Sequence, residues 1–377
     1  MLLNMYELFL SSYWSLLILI VTSIACAIIG TFLVLRNLSM VSDAISHTIL
    51  LGIVLAFFIT RDISSPLLII GAGLFGVITI FFTEVLSSTG LVKSDDSVGI
   101  VFPLFFSIAV LLITKYARNT HLDIDIILTG EVILAPLNTF DIFGYELPKA
   151  FVQMSIIIIL NLIFVAVYYK ELKITTFDKE FSIIAGFSPI LLFYSLMTLA
   201  SVTAVVAFDA VGAILVISFL ITPPASSYLI TKNLNKTIIV AVIYSIFNSI
   251  VGYMLAIMYN VSISGMTATV AGITFLLTVV FNKNGIITSC ILRYKRRKKM
   301  FEDLLIVHIG NHLKDKEIDS ELGTNSIYLH LNWKEEDFLK VARKLEVKKD
   351  IVVEKNRYKL TENGLKRYEE LYKTYIM

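Results

Sequence analysis

Nine apolar stretches, each long enough to cross a lipid bilayer, dominate the chain, near residues 13–35, 42–60, 66–87, 98–116, 150–168, 188–208, 210–231, 236–258 and 266–281. About 20 mostly apolar residues span the hydrocarbon core as a helix. A helix is the form such a run must take, because lipid offers no partner to backbone N–H and C=O groups. The junctions at 36–41 and around 209 are so short that eight spans also fit. The expected fold is an all-α polytopic membrane protein with eight or nine transmembrane helices. Composition agrees: 56% of the 377 residues are apolar and 16% are charged, against about 25% charged in a soluble domain. A formal charge of +2 is too small to call for a polyanionic partner of the whole chain. Cys26 lies in an apolar run and Cys290 just before a basic cluster, so no disulfide between them is expected. The start, MLLNMYELFLSSYW, lacks the basic segment and small-residue cleavage site of a removed signal peptide, and its apolar run is expected to stay as a span. The glycines scattered through the spans are expected to serve close helix packing.

Lysine and arginine placement sets the orientation. Lys170, Lys173 and Lys179 lie in the loop at 169–187, and Lys232 and Lys236 at 232–236. Arg293, Lys295, Arg296, Arg297, Lys298 and Lys299 follow the last span. With alternating spans these three places share one side, the cytoplasm, and nine spans put the N-terminus outside. Lys115, Arg118 and Lys149 fall on the outer side and run against this count. The connection at 118–148 carries Asp123, Asp125, Glu131, Asp141 and Glu146. It is expected to include a short helix and to present a solvated acidic surface over one end of the bundle.

Asp43 and His47 lie four residues apart in the second span, MVSDAISHTILLGIV. That spacing puts carboxylate and imidazole on one helix face. Ionisable groups at membrane depth are costly and usually line a pathway. Carboxylate and imidazole are also two ligands that suit a divalent transition metal. The plainer reading is a polar pair that holds helices together. Asp209, in VAFDAVG, is a third ligand, an outer gate residue or a helix cap, and the residues do not choose among these. Glu84 near the inner end of its span reads as a snorkelling or paired side chain. Arg36 reads as a charge partner or an interfacial anchor. Pro223 and Pro224 interrupt an apolar helix, either as a static kink or as a helix break that passes motion to the pathway. No GxxxxGK[ST] phosphate loop occurs, so the chain is not expected to hydrolyse ATP.

Composition shifts near residue 300. The expected organisation is a membrane domain over 1–290, a basic linker at 291–300 and a small cytoplasmic α+β domain over 301–377. The last part has 14 Lys or Arg against 15 Asp or Glu. Its patterning predicts helix, a capped second segment around Asp319–Leu331, a helix at EEDFLKVARKLEV, two short strands around a turn at Glu354–Asn356, and a helix opened by Thr361. That order is the order of a winged-helix domain. Its one negative charge in excess, and a segment DSELGTNSIYLHL without Lys or Arg, argue against a nucleic-acid partner. His308 and His312, i and i+4, are a metal-sensing pair or a solvated face.

The residues carry two resemblances. FLVLRNLSMVSDAISHTILLGI, SDDSVGIVFPLFF, HLDIDIILTGEVILAP and FDAVGAILVISFLITPPASSYLIT resemble, in the same order, segments of the permease subunits of manganese/zinc/iron-type ABC importers. The resemblance covers residues 15–281. It implies a homodimer of permeases, two cytoplasmic ATPase subunits, an extracellular metal-binding solute-binding protein, and lipid around the bundle. It implies alternating access with a divalent metal ion as cargo and no permanently bound cofactor. Manganese is favoured over zinc or iron, on the hardness of the ligands and the manganese-like loop. It places the contact with the ATPase at Phe177, Asp178, Lys179, Glu180, Phe181, Ala185 and Gly186. The tail, RYKLTENGLKRYEEL above all, resembles the winged-helix domain of metal-dependent repressors. Two other classes remain as alternatives: a membrane metal sensor with a DNA-binding tail, and an ion-driven secondary carrier.

Overall fold

The computed structural model describes residues 13–62, 65, 67–116, 132–142, 145–283, 285–312 and 321–375. The chain forms two compact units, residues 1–283 and 284–377.

In the first unit the helices are α1 (Tyr13–Leu35), α2 (Ser39–Thr60), α3 (Leu67–Ser88), α4 (Ser94–Tyr116), α5 (Lys149–Val167), the short α6 (Tyr169–Phe177) and α7 (Lys179–Ile184), then α8 (Pro189–Val211), α9 (Ala213–Ile230), α10 (Leu234–Tyr259) and α11 (Ile263–Phe281). Among the described residues of the chain, nine helices are long and apolar enough to cross a membrane, the ninth beginning at Ile263. The two short junctions are true turns. At the first, Asn37 takes a left-handed φ of 58°. Its N–H donates to the Val34 carbonyl at 3.0 Å and the Leu38 N–H to the Leu33 carbonyl at 2.8 Å. That is a Schellman motif, which ends α1 while satisfying carbonyls at its end. At the second, the break falls at Gly212, not Asp209: a φ of 84°, open to a residue without Cβ, ends α8 and starts α9.

Helix α1 is buried on nearly every side, and packs against α5, α8, α9 and α10, while α2 packs against α3 and α4. Helix α8 joins the two groups through contacts with α1, α2 and α3. The outer face of α5 exposes Ile156, Ile159, Leu160, Leu162 and Ile163, as suits a lipid-facing surface. Inside, polar side chains bridge helices. Asn161 Nδ2, fully buried, donates to the Ala25 carbonyl and to Thr203 Oγ1, each at 3.2 Å. Ser264 Oγ donates to the Val211 carbonyl at 2.8 Å. Such bridges contribute on the order of 1 kcal/mol each.

The proline pair does not break its helix: Pro223 and Pro224 both lie inside continuous α9 and are buried. Their effect is on hydrogen bonding. The carbonyl of Leu220 would take its donor from residue 224 in an α-helix or 223 in a 3₁₀ turn, and neither has an N–H. That carbonyl faces Gly30 of α1, where an added Cβ would collide with the Leu220 O, C and Cα atoms. Gly30 therefore lets α1 close on the stretch of α9 that the prolines leave unpaired.

Where a short helix was expected in the acidic connection, the described part holds a 3₁₀ turn at Ala135–Leu137 and an antiparallel strand pair, β1 (Thr139–Ile142) with β2 (Tyr145–Pro148), in which Asp141 faces Glu146. Asp123, Asp125 and Glu131 lie outside the described residues.

The second unit contains α12 (Ile286–Asn311), a one-turn α13 (Ile327–His330), α14 (Glu335–Val347), the hairpin β3 (Ile351–Glu354) and β4 (Arg357–Leu360), and α15 (Glu362–Tyr375). Residues 291–300 are helical throughout, so the expected basic linker is the interior of α12. The helix expected from residue 301 is the second half of that same element. Of the segment Asp319–Leu331, Glu321 and Ile327–His330 are helical among the described residues. Lys355 and Asn356, both at positive φ, make a two-residue type I′ turn whose twist matches the strands it joins. The core contains Leu305, Ile306, Ile309, Phe338, Leu345, Ile351 and Tyr358. Glu302, with its side chain 3% exposed, pairs with Lys344 and with Lys348 at 2.6 Å. Arg367 bridges Asp303 at 2.7 Å and Asp350 at 2.6 Å.

Two predictions follow from these contacts. Gly30→Ala should lower the unfolding midpoint of the detergent-solubilised protein, at a cost of about 1–3 kcal/mol for overpacking. Gly272→Ala, in a span position where an added Cβ meets nothing within 4 Å, should leave it unchanged or slightly raised. In the second unit, burial raises the Glu302 pKa, but the hydrogen bonds and charges of Lys344 and Lys348 outweigh it and hold it below the usual value. A carboxyl depressed in the folded state stabilises above its unfolded pKa, about 4.3, and loses that contribution as pH falls through the lower folded value. Hydrogen exchange of α12, α14 and α15 in the full chain should therefore speed up as pH falls below about 4, after correction for intrinsic rates. Glu302→Gln should remove most of that dependence and cost about 1–3 kcal/mol, since both lysines stay half in solvent.

Candidate functional site

Asp43 and His47 sit in the first half of α2 and point to one side of it. Their side chains are 39% and 32% exposed, with His47 Nε2 3.6 Å from Asp43 Oδ1. That gap is longer than a good hydrogen bond. It is close to the separation of about 3.4 Å between two ligands held near 2.1 Å from one ion at a tetrahedral angle. The imidazole is held by aromatic rings of α4: it stacks on Phe102 at 5.5 Å and meets the edge of Phe106 at 5.6 Å. These two rings are i and i+4 on α4, a pairing visible in FPLFF that sequence reasoning passed over. Ser46, His47, Ile49, Leu50, Ile53, Phe106, Phe208 and Ala213 surround a small cavity of about 10 Å³, room on the order of one water molecule. Four helices, α2, α4, α8 and α9, thus meet at His47.

Among the described residues no group of three His, Cys, Asp or Glu is arranged to hold a metal. Asp43 and His47 have no third such ligand beside them there. Asp209 is exposed in the last turn of α8. The cap between α8 and α9 is Gly212, with no side-chain hydrogen bond. Glu84 is exposed on α3. In the second unit the His308 and His312 rings are 4.8 Å apart, and His312 Nδ1 lies 2.5 Å from Glu321 Oε2.

Arg36, at the turn leading into α2, pairs with no carboxylate among the described residues. It is half-buried and reaches α6, where Nε donates to Thr176 Oγ1 at 3.1 Å and Nη2 to Thr175 Oγ1 at 2.8 Å. Thr175 is free to accept because its own hydroxyl donates to the Glu171 carbonyl at 2.8 Å. Burial pushes the guanidinium down to about 10, with no carboxylate offsetting it. Neither threonine was legible as a partner, since the contact spans about 140 residues of sequence.

Helix α7 follows directly on α6. Asp178 caps it, accepting from the Phe181 N–H at 2.8 Å. Gly186, at φ 84°, helps turn the chain away at its end. Phe177, Phe181, Ile183 and Ile184 are exposed, 54–83% each, as are Lys179, Glu180, Ala185 and Gly186. A short helix that presents large apolar side chains among charges has the character of a contact surface.

The chain is 41% identical over 328 residues to the zinc transport system membrane protein TroD of Treponema pallidum, covering 87% of this chain and 89% of that one. It is 41% identical over 271 residues to the manganese transport system membrane protein MntD of Bacillus subtilis, covering 71% and 92%. The structure of PsaBC from Streptococcus pneumoniae in complex with Fab superposes with a TM-score of 0.63 at 25% identity, over 75% of this chain and 96% of that chain. Residues 5–282, the whole of the helical bundle, match the ABC 3 transport family, and the chain belongs to that family.

Proposed function

We propose that the chain is the permease of an ATP-driven importer of divalent transition metal ions, and that Asp43 and His47 contact the ion as it passes. The observation that carries this is the pair itself. Two metal-ligating groups stand 3.6 Å apart in an otherwise apolar span, with one of them braced by aromatic rings. Two ligands make an incomplete shell, which suits a site that must release as well as bind. In this reading two copies form the pathway, and two ATPase subunits dock on the exposed segment from Phe177 to Gly186. A solute-binding protein delivers metal from outside. Both the apolar side chains of α7 and the positive-inside count support the docking side.

Manganese is the favoured cargo. A carboxylate lies beside the imidazole, and no cysteine lies near the pair in sequence, which leans away from zinc. Of the two relatives described above, one is named for zinc transport and one for manganese. The second unit we read as a winged-helix-like cytoplasmic module with a regulatory or structural role. Its element order and its I′ hairpin support that reading. The absence of Lys and Arg from Glu321–Leu331 disfavours a nucleic-acid role.

The test is metal uptake by proteoliposomes that carry the chain with its ATPase and binding protein. Asp43→Ala and His47→Ala should each cut manganese uptake at least tenfold while the complex still assembles, one lost ligand removing about 1.4 kcal/mol or more. Wild-type uptake should be faster for manganese than for zinc. Wild-type rates in both variants would make the pair structural.

A further inference from the structure

A cation without a carboxylate partner and a carboxylate oxygen without a donor, among the described residues, both bear on α6. Arg36 is a half-buried cation held by two neutral hydroxyls of α6. Glu171, one turn earlier on α6, has a buried carboxylate oxygen, Oε2, with no hydrogen-bond partner among the described residues. Residues 171 and 175 are i and i+4, so Glu171 and Thr175 share a face of α6. A buried carboxylate oxygen without a donor carries a desolvation cost. A guanidinium is the donor best shaped to remove it. Glu171 also borders an open groove of about 600 Å³ with Tyr169, Lys170 and Asn235, so its surroundings leave room for movement.

Arg36 is stiffly connected to the site. Its backbone is the C-cap of α1 inside the Schellman turn, and α2 starts three residues later, at Ser39. Asp43 lies four residues into that helix, about 6 Å along its axis. At the other end, Thr175 and Thr176 are followed within three residues by the start of α7. A rigid path therefore runs from α7 through α6 and Arg36 to the metal-contacting pair.

We propose that Arg36 is a positioning residue with two seats on α6, Thr175 with Thr176 in this structure and Glu171 one helical turn away, and that exchange between them couples movement of α7 to Asp43 and His47. The proposal rests on the permease reading above. Each seat satisfies what the other leaves open. The first gives two neutral hydrogen bonds and leaves Glu171 Oε2 unpaired. The second pairs the charges and frees the threonines. A slide of about 5.4 Å, one helical turn, separates them. Sliding packed elements by one turn is a known way to make a bistable contact.

The experiment uses the whole complex in proteoliposomes and reads ATP hydrolysed per manganese ion taken up, with the unfolding midpoint as control. The variants are Arg36→Gln, Glu171→Gln, the two combined, and Thr175→Val with Thr176→Val. Each single variant should raise the ATP-to-metal ratio about tenfold, with hydrolysis and midpoint near wild type. The combined Arg36 and Glu171 variant should be no worse than Arg36→Gln alone, because both act through one contact. Arg36→Lys should recover part of the coupling. A wild-type ratio in Glu171→Gln, or effects that multiply in the combined variant, would overturn the two-seat latch. If Arg36→Gln fails to assemble, Glu171→Gln and the threonine pair decide the matter on the same criteria. If the wild-type complex takes up no manganese with ATP, the permease reading fails and the latch with it. If it does and the variants match it, the latch alone fails.

Discussion

In a hydrocarbon solvent every backbone polar group must find its partner inside the protein, and the architecture follows from how the chain meets that demand. Most of the first unit answers with continuous helix. The exceptions are few, and each is managed locally. Asn37 ends α1 in a turn that returns its carbonyls to the chain. Gly212 takes a backbone conformation that side-chain-bearing residues avoid, and so lets two spans follow one another with a single residue between them. The prolines of α9 leave the Leu220 carbonyl without a helical donor, and the structure brings the bare backbone of Gly30 against it. Such contact is the weak Cα–H to oxygen kind that recurs where helices touch closely.

The candidate site depends on the same economy. Asp43 and His47 are tolerated because neither is fully buried and because the imidazole has aromatic faces to pack against. His47 lies where α2, α4, α8 and α9 converge, so its position depends on four helices at once. Arg36 sits outside the spans, where a charge can be half-solvated, and ties the start of α2 to α6. The helix that bears the pair is thus held at its middle by packing and at its start by hydrogen bonds to a surface segment.

Much of this was legible in the sequence. Apolar length alone located the spans, because the bilayer imposes one length on all of them. The i, i+4 spacing put Asp43 and His47 on one face. What sequence reasoning missed depended on contacts between distant residues. Arg36 had only neighbours in sequence to suggest a partner, whereas its hydroxyl partners lie on α6. Pro223 and Pro224 looked like a break because proline opposes an isolated helix. Packing on the α1 side holds α9 together across both. The basic run looked like a linker because its charges repel. Helix on both sides carries it through, and Arg297 finds the face of Phe301 at 5.7 Å. A reader of sequence sees the cost of such a stretch but not the structure that offsets it.

That run has a further consequence. At 100° per residue, Arg293, Lys295, Arg296, Arg297, Lys298 and Lys299 point in all directions around α12 and do not gather into a stripe. Each has a like charge three or four positions away, so this part of α12 is under outward electrostatic tension. Salt relieves the tension, and so does any surface dense in negative charge, whichever side it comes from. The segment is a rod charged all round, able to turn about its own axis without losing its attraction to an anionic surface.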